Sequence, residues 1–156
     1  MPPSKPHLLL GIDPGTTVGL AIYDTRTDEL LVCTSGDFFR THAVVKAQYP
    51  PHNVAAVIVE DARSLPLYAR HRHASRAARD RVARNVGGVD KVTELVIQWL
   101  EDEGYLVTTE KPQRRKKWDA ATLARLTGCT APTNEHGRDA ARLVVGRGPQ
   151  IIHRLA

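Results

Sequence analysis

Cysteines and long apolar runs are both scarce in this chain of 156 residues. Cys33 and Cys129 are too few, and too far apart in sequence, to suggest a disulfide framework or a C-x-x-C metal motif. The longest uninterrupted apolar run is the six residues 54–59, far short of the roughly 20 residues that span a bilayer. Residues 1–7 lack the apolar core of a secretory signal. We therefore expect a cytoplasmic protein with no membrane partner.

Acidic residues are nearly absent from the 22 residues between Arg63 and Arg84, where seven arginines face the single Asp80. The local balance is +6, whereas the remainder of the chain holds 15 basic and 16 acidic residues. All of the excess positive charge therefore lies in one segment, which predicts a surface for a polyanion such as a nucleic acid. A second basic cluster, residues 111–117, could bind another run of phosphates or form an ordinary loop.

The pattern of apolar segments predicts one domain over residues 1–156, with residues 1–7 flexible. Residues 8–35 are typical of a three-stranded antiparallel meander. The segments predicted after it are a helix over 40–49, a strand over 54–60, helices over 69–86 and 89–103, a strand over 105–109, and two helices over 119–127 and from 133 or 134 to about 146. We expect an α/β fold with a five-stranded mixed sheet, three antiparallel strands followed by two parallel ones, and helices on both faces.

Two apolar strands each end in a carboxylate. Asp13 follows Leu-Leu-Leu-Gly-Ile, and Glu60 follows Val-Ala-Ala-Val-Ile-Val. An ionised acid at the end of a buried strand costs several kcal/mol unless a partner compensates it, and a divalent metal is an economical partner. Adjacent strand residues point to opposite faces, so Asp61 cannot share a face with Glu60 and is set aside.

A third set of polar residues lies at the start of the last predicted helix. His136 and Asp139 are three positions apart and share one helical face. Glu135 lies off that face, and we interpret it as a first-turn acid favoured by the helix dipole. Carboxylates and an imidazole drawn from three remote segments indicate metal-assisted phosphodiester chemistry, although each motif alone also has an ordinary structural explanation.

Three segments in this order resemble RuvC-type Holliday junction resolvases of the ribonuclease H-like superfamily: residues 10–19, 57–60 and 136–141. The resemblance implies a ribonuclease H-like fold, a homodimer, and magnesium-dependent cutting of two strands of a four-way DNA junction or another branched DNA. It also implies two Mg²⁺ ions per active site. Because histidine is a softer ligand than carboxylate, Mn²⁺ should substitute well.

Carried over residue by residue, the resemblance implies a metal site formed by Asp13, Glu60, His136 and Asp139. His136 is either a ligand or the group that orients the attacking water. Lys116 or Lys117 resembles the basic residue near the scissile phosphate, and which of them corresponds is open. The residues expected to contact nucleic acid are Arg63, Tyr68, Arg70, Arg72, Arg76, Arg79, Arg84, Arg114, Arg115, Lys116 and Lys117.

One departure from the family concerns the aromatic residue that usually follows the second acid and probes the junction centre. Here Ala62 and Arg63 follow Glu60, and Tyr68 is the nearest aromatic ring. Tyr68 and Trp118 each adjoin a basic cluster, where an aromatic side chain can stack on an unpaired base or simply pack against the protein. The junction-probing residue is therefore left open.

Three alternatives remain. A ribonuclease H-like nuclease for structured RNA would need nearly the same acids and fold. An ATP-binding protein of the actin and sugar-kinase type shares a similar first loop, residues 11–17, but requires two such lobes. A non-cleaving nucleic-acid-binding module is disfavoured, because its acids would oppose binding.

Overall fold

The computed structural model describes residues 5–65 and 75–155, apart from the side chains of Arg79 and Val82. The elements in those ranges are β1 (Leu8–Asp13), β2 (Val18–Asp24), β3 (Glu29–Gly36), α1 (Phe38–Gln48), a 3₁₀ turn (Pro51–Asn53), β4 (Val54–Glu60), α2 (Arg76–Asp102), β5 (Val107–Glu110), α3 (Ala120–Thr127), α4 (Glu135–Arg142) and α5 (Gly148–Leu155). None of the helices in these ranges has the length and apolar character needed to cross a bilayer.

The five strands form one mixed sheet in the order β3-β2-β1-β4-β5. The pairs β1/β2 and β2/β3 are antiparallel, whereas β4 runs parallel to β1 and β5 runs parallel to β4. The predicted arrangement of three antiparallel strands followed by two parallel ones is confirmed. Because β1 and β4 are parallel neighbours, their carboxyl ends open at the same edge of the sheet.

The alternation of side chains along the strands builds a hydrophobic core on each face of the sheet. On one face, Leu10 packs with Val45 of α1 and Leu100 of α2. On the other face, Leu9 belongs to the cluster that includes Ala141 of α4, together with residues of α3 and α5. Helices cover both faces, as predicted, and the second face is the one that carries the acids discussed below.

Helix α2 corrects one prediction. The sequence suggested two helices, over 69–86 and 89–103, separated by Gly87 and Gly88, but a single helix runs over Arg76–Asp102. Each interior glycine costs roughly 1 kcal/mol relative to alanine, yet it keeps its backbone N–H and does not break the hydrogen-bonded ladder. The part of the first predicted helix before residue 75 lies outside the described residues.

The buried face of α2 matches the predicted one at Val92, Val96, Trp99 and Leu100. It departs from it at Leu95, expected in the core but 40% exposed, and at Ile97, expected on an outer apolar surface but packed against the core. Thr93, which was not predicted to be buried, lies in the same buried face. The hydroxyl of Thr93 donates a hydrogen bond to the carbonyl of Val89, which satisfies this polar group in the core.

The helices after β5 begin largely where their capping residues predict. Asp119 caps α3, and Asn134 caps α4 by accepting a hydrogen bond from the Gly137 amide at 3.0 Å. The last predicted helix, however, ends at Arg142 and not near residue 146. The additional helix α5 was not predicted, although Pro149 in its first turn is a typical helix-starting signal.

The N-terminal segment expected to be flexible is described from residue 5 onward. His7 is attached to the sheet, because its amide donates to the Asn53 carbonyl and its own carbonyl accepts from the Thr25 amide. Flexibility of residues 1–7 and the single-domain organisation over residues 1–156 remain predictions.

Candidate active site

The carboxylates of Asp13 and Glu60 lie at the ends of neighbouring strands. Ile12 pairs with Val59 in the parallel β1/β4 ladder, so the next residues of both strands are adjacent. Ile58 packs in the core beneath α4, and the two-residue period places Glu60 on that same face. Asp61 instead accepts hydrogen bonds from the backbone amide and guanidinium of Arg63.

Helix α4 reaches these strand ends because two glycines leave room for it. A Cβ atom at Gly19 would lie 1.9 Å from the carbonyl oxygen of His136, and one at Gly11 would lie 2.3 Å from that of Ala140. Both distances are far inside van der Waals contact, so any side chain at either position would push the helix outward. Glycine within a strand often marks such a close backbone approach.

This close packing brings His136 and Asp139 to the strand-end acids. His136 Nδ1 lies 3.5 Å from Asp13 Oδ2, and its Nε2 lies 3.9 Å from Glu135 Oε1. Asp139 is 9% exposed. The structure therefore brings Asp13, Glu60, His136 and Asp139 together at one end of the sheet.

Lys117, and not Lys116, approaches the carboxylates. Its Nζ donates a hydrogen bond to Asp139 Oδ2 at 2.9 Å and lies 3.8 Å from Glu135 Oε2. The contact with Asp139 raises the pKa of Lys117, so the ammonium stays protonated. Lys116 lines a neighbouring cavity.

The crowded acids change one another's protonation. Burial, followed by the negative charges of Asp139 and Glu135, raises the pKa of Asp13 from 3.8 to about 7, against the opposing effect of Lys117. Burial and the charges of Asp13 and Asp139 raise the pKa of Glu60 from 4.5 to about 7. With both pKa values at about 7, each carboxyl group is partly protonated near neutral pH, and a bound cation would displace the proton.

Glu135 and Arg142 are site residues that the sequence reasoning did not identify. Glu135, interpreted as a first-turn acid, also contacts Lys117 and His136. The side chain of Arg142 is only 10% exposed, and its Nη1 lies 3.8 Å from Asp139 Oδ1. The three-residue spacing between Asp139 and Arg142 is the sequence signal that could have identified this pair.

The donor set suits a hard divalent cation. Carboxylate oxygens are the ligands that Mg²⁺ prefers, and an imidazole is tolerated by Mn²⁺. Asp139 Oδ1 is buried and lacks a hydrogen-bond partner within the described ranges, so this oxygen has coordination capacity to spare. In the same ranges no three His, Cys, Asp or Glu side chains converge into a ready-made metal cage. The residues fit such a cation chemically, and their side chains would have to draw together around it.

The residues expected to contact nucleic acid are distributed over several elements. Tyr68, Arg70 and Arg72 lie outside the described residues, as does the side chain of Arg79. Arg63 forms an ion pair with Asp61 at 2.8 Å. The other residues expected to contact nucleic acid are exposed. They lie on α2 (Arg76 and Arg84) and on the loop after β5 (Arg114, Arg115, Lys116 and Lys117).

The mixed sheet, the helices on both faces, and the acids at the ends of its two central parallel strands define a ribonuclease H-like fold. Among solved structures, the chain is similar to Thermus thermophilus RuvC in complex with a Holliday junction substrate, with a TM-score of 0.57 and 19% sequence identity. The match covers 95% of this chain and 96% of that one. No protein-family model matches the sequence, and neither does any curated protein.

Proposed function

We propose that this protein is a metal-dependent endonuclease that cuts four-way or otherwise branched DNA by hydrolysing phosphodiester bonds. The observation that carries the proposal is that Asp13 and Glu60 end neighbouring strands beside α4, the helix that supplies His136 and Asp139. Such a cluster repels anionic substrates until cations bind. The similarity to a RuvC structure that contains a Holliday junction supports branched DNA as the substrate.

Asp13 would hold both of two divalent cations, and Glu60 and Asp139 would each complete the surroundings of one. When bound, the cations activate a water molecule and stabilise the departing 3′ oxygen. His136 would either bind a cation or accept the proton of the attacking water. Lys117 holds its proton at Nζ beside Asp139 and would donate it in a hydrogen bond to a phosphate oxygen.

The proposal includes a homodimer, because paired cutting of two of the four strands of a junction calls for two active sites. Ile97, the residue expected to widen an apolar surface for a second copy, packs against the core, and Leu95 on the same helix is a single exposed apolar side chain. Sedimentation at micromolar concentration tests this part, and a monomer would contradict it. A cytoplasmic location belongs to the same proposal.

Cleavage of a synthetic four-way junction tests the function directly. Duplex DNA, flap DNA and structured RNA serve as parallel substrates, each with Mg²⁺, with Mn²⁺ or with EDTA. We expect metal-dependent cutting of the junction in preference to the duplex. Preferential cutting of RNA would favour the alternative of a structured-RNA nuclease, and ATP-dependent protection from heat without DNA would favour the ATP-binding alternative.

Asp13→Asn is the sharpest variant for this assay. It removes the charge that would hold both cations while keeping the size of the side chain, so we expect cleavage to fall below detection and junction binding to persist. Binding is measured by fluorescence anisotropy in EDTA. Normal cutting by the purified variant would refute the assignment of Asp13.

A further inference from the structure

A basic cavity of about 920 Å³ lies beside the candidate active site, between the loop after β5 and the region where α4 passes into α5. The residues of its lining that matter here are Arg114, Arg115, Lys116, Trp118, Arg142 and Val145. Among the described residues no carboxylate belongs to the lining, although acids crowd the neighbouring site. The cavity therefore attracts anionic groups that the active site itself repels.

Three of these cations are available for a ligand. Arg114, Arg115 and Lys116 are exposed, and within the described ranges none of them forms an ion pair with a carboxylate. The charges of Arg114 and Arg115 are thus available for a ligand. The charge of Lys116 is partly offset by Asp119, whose pKa is lowered by hydrogen bonds with Thr122 and, less strongly, by Lys116. Arginine binds phosphate through two parallel hydrogen bonds, which makes this group suited to a phosphodiester.

Part of the cavity wall is apolar. Trp118 and Val145 line it and also pack against the core cluster beneath α3 and α4. An indole side chain would contribute nothing to the binding of a phosphate group alone. An aromatic wall next to arginines is the combination that binds an unpaired base together with its phosphate.

The loop that forms the cavity is fixed by helix α4. Arg138 Nε donates to the Trp118 carbonyl at 2.9 Å, and Arg142 Nη2 lies 3.4 Å from the Arg115 carbonyl. Arg142 also faces Asp139 of the candidate active site. The cavity and the acids thus share one supporting helix, and Arg142 borders both of them.

We propose that this cavity holds an unpaired nucleotide of the DNA strand next to the cleavage position. Its base lies against Trp118, and its phosphate is bound by Arg114, Arg115 and Lys116. This inference rests on the proposed function and adds a substrate feature to it. Branched DNA with an unpaired nucleotide at the branch should be preferred to the same junction fully paired.

Tryptophan fluorescence provides a direct test of contact. The chain has two tryptophans, and Trp99 packs against the core on the other face of the sheet. In Trp99→Phe protein, which retains Trp118, we expect a ten-nucleotide oligothymidine in EDTA to quench the emission. In Trp118→Phe protein, which retains Trp99, quenching should be absent. Unchanged Trp118 emission at saturating oligonucleotide, with binding followed by anisotropy, would overturn the proposal.

A second titration of Trp99→Phe protein, with thymidine monophosphate, tests whether the cavity binds a nucleotide within a strand or a free nucleotide. Quenching by the oligonucleotide at much lower concentration than by the mononucleotide is expected for a strand-binding cavity. Equal potency per nucleotide would contradict strand binding and indicate a site for free nucleotides.

Cleavage of a matched pair of junctions tests whether the cavity sets the preference for an unpaired nucleotide. One junction has a single unpaired thymidine at the branch, and the other is fully paired. We expect wild-type protein to cut the first about tenfold more efficiently, which is within the range of one base stacked on an aromatic ring. Trp118→Ala and the double variant Arg114→Ala/Arg115→Ala, which keeps the indole in place, should both bring the ratio close to one.

Arg125→Ala is the control for lost charge, because Arg125 is exposed on α3 and does not line the cavity. It should keep the wild-type ratio. A ratio retained by the double variant would overturn the inference while leaving the proposed nuclease intact. Absence of metal-dependent cutting of any DNA by wild-type protein would instead refute the proposed function.

Discussion

Asp13 and Glu60 reduce the stability of the folded protein. Each sits where burial and neighbouring negative charge raise its pKa to about 7, and Lys117 only partly compensates. Strongly shifted pKa values are common at functional sites, where the acids serve the chemistry and do not stabilise the fold. The energetic cost of these acids should therefore be measurable in the absence of metal.

The stability of metal-free protein should fall as the pH rises from about 4 to about 7. The pKa of Asp13 is 3.8 in the unfolded chain and about 7 in the folded one, so ionisation over this range favours the unfolded state. Urea unfolding in EDTA at pH 5 and pH 8 measures the loss. In Asp13→Asn the loss should be smaller by about 1–2 kcal/mol.

Two comparisons make this prediction specific. Asp102→Asn removes an exposed carboxylate at the end of α2 and should keep the wild-type pH dependence. Mg²⁺ at pH 8 should raise the melting temperature of wild-type protein more than that of Asp13→Asn. An identical pH dependence in wild type and Asp13→Asn would contradict the crowding of acids at this site.

Lys117 should set the pH at which the site becomes active. Its positive charge lowers the pKa of both Asp13 and Glu60, so Lys117→Met should raise both pKa values. If ionised acids bind the cations, the rising limb of the pH–rate profile moves to higher pH and the rate at pH 7 decreases. Lys116→Met, which removes a charge from the cavity lining, should leave that limb in place. A lower rate without a shifted limb would show that Lys117 acts only on the substrate.

At the residue scale, four polar residues that lie at one end of the sheet could be predicted from the sequence, because strand-end position and helical spacing are local patterns. The contacts of Glu135 and Arg142 could not be predicted, since they depend on how α4 packs against the loop after β5. The catalytic and metal-binding roles of all these residues remain predictions.

At the scale of elements, the position of α4 depends on Gly11 and Gly19. Gly19→Ala would place a Cβ atom against the His136 carbonyl, so the helix must move or the strand must bend. We expect a loss of about 1–3 kcal/mol in the free energy of unfolding, as for other overpacked sites. Gly88→Ala is the matched control, because its Cβ atom would meet nothing within 4 Å. It lies in a helix interior and should stabilise the protein by up to about 1 kcal/mol.

The two variants are compared by urea unfolding in the same buffer. Equal stability of Gly19→Ala and wild type would show that α4 does not approach β2 as closely as described. Gly88 and its neighbour Gly87 also account for the wrong prediction of two helices. Gly87 and Gly88 look like a helix break, but glycine stops a helix only when the flanking segments gain by separating, and here the helix continues through them.

At the scale of the whole molecule, the division of the sheet into three antiparallel strands followed by two parallel ones was predicted, because the meander and the long apolar strand each have a distinctive pattern. The face that α2 presents to the core was predicted at Val92, Val96, Trp99 and Leu100. Leu95 and Thr93 were not placed correctly, because they lie at the border of the apolar stripe, where contact with the core depends on how closely the helix packs against the sheet. The cavity beside the candidate active site could not be predicted either, because a loop from one segment and helices from another enclose it.

Charge acts over the whole molecule, and the salt dependence of binding should reveal which basic segments contact DNA. Each phosphate neutralised contributes a slope of about −0.9 to the dependence of log K on log salt. Arg76→Ala/Arg84→Ala, on exposed positions of α2, should reduce the slope by about 1.8 if both arginines contact phosphates. Arg114→Ala/Arg115→Ala should reduce it by up to about 0.9, because both arginines bind the one phosphate of the nucleotide in the cavity. Arg125→Ala should not change it. Anisotropy titrations of a four-way junction in EDTA over a series of salt concentrations measure these slopes. A slope reduced only by the pair in the cavity would assign DNA contact to the loop after β5 and remove Arg76 and Arg84 from the DNA-binding surface.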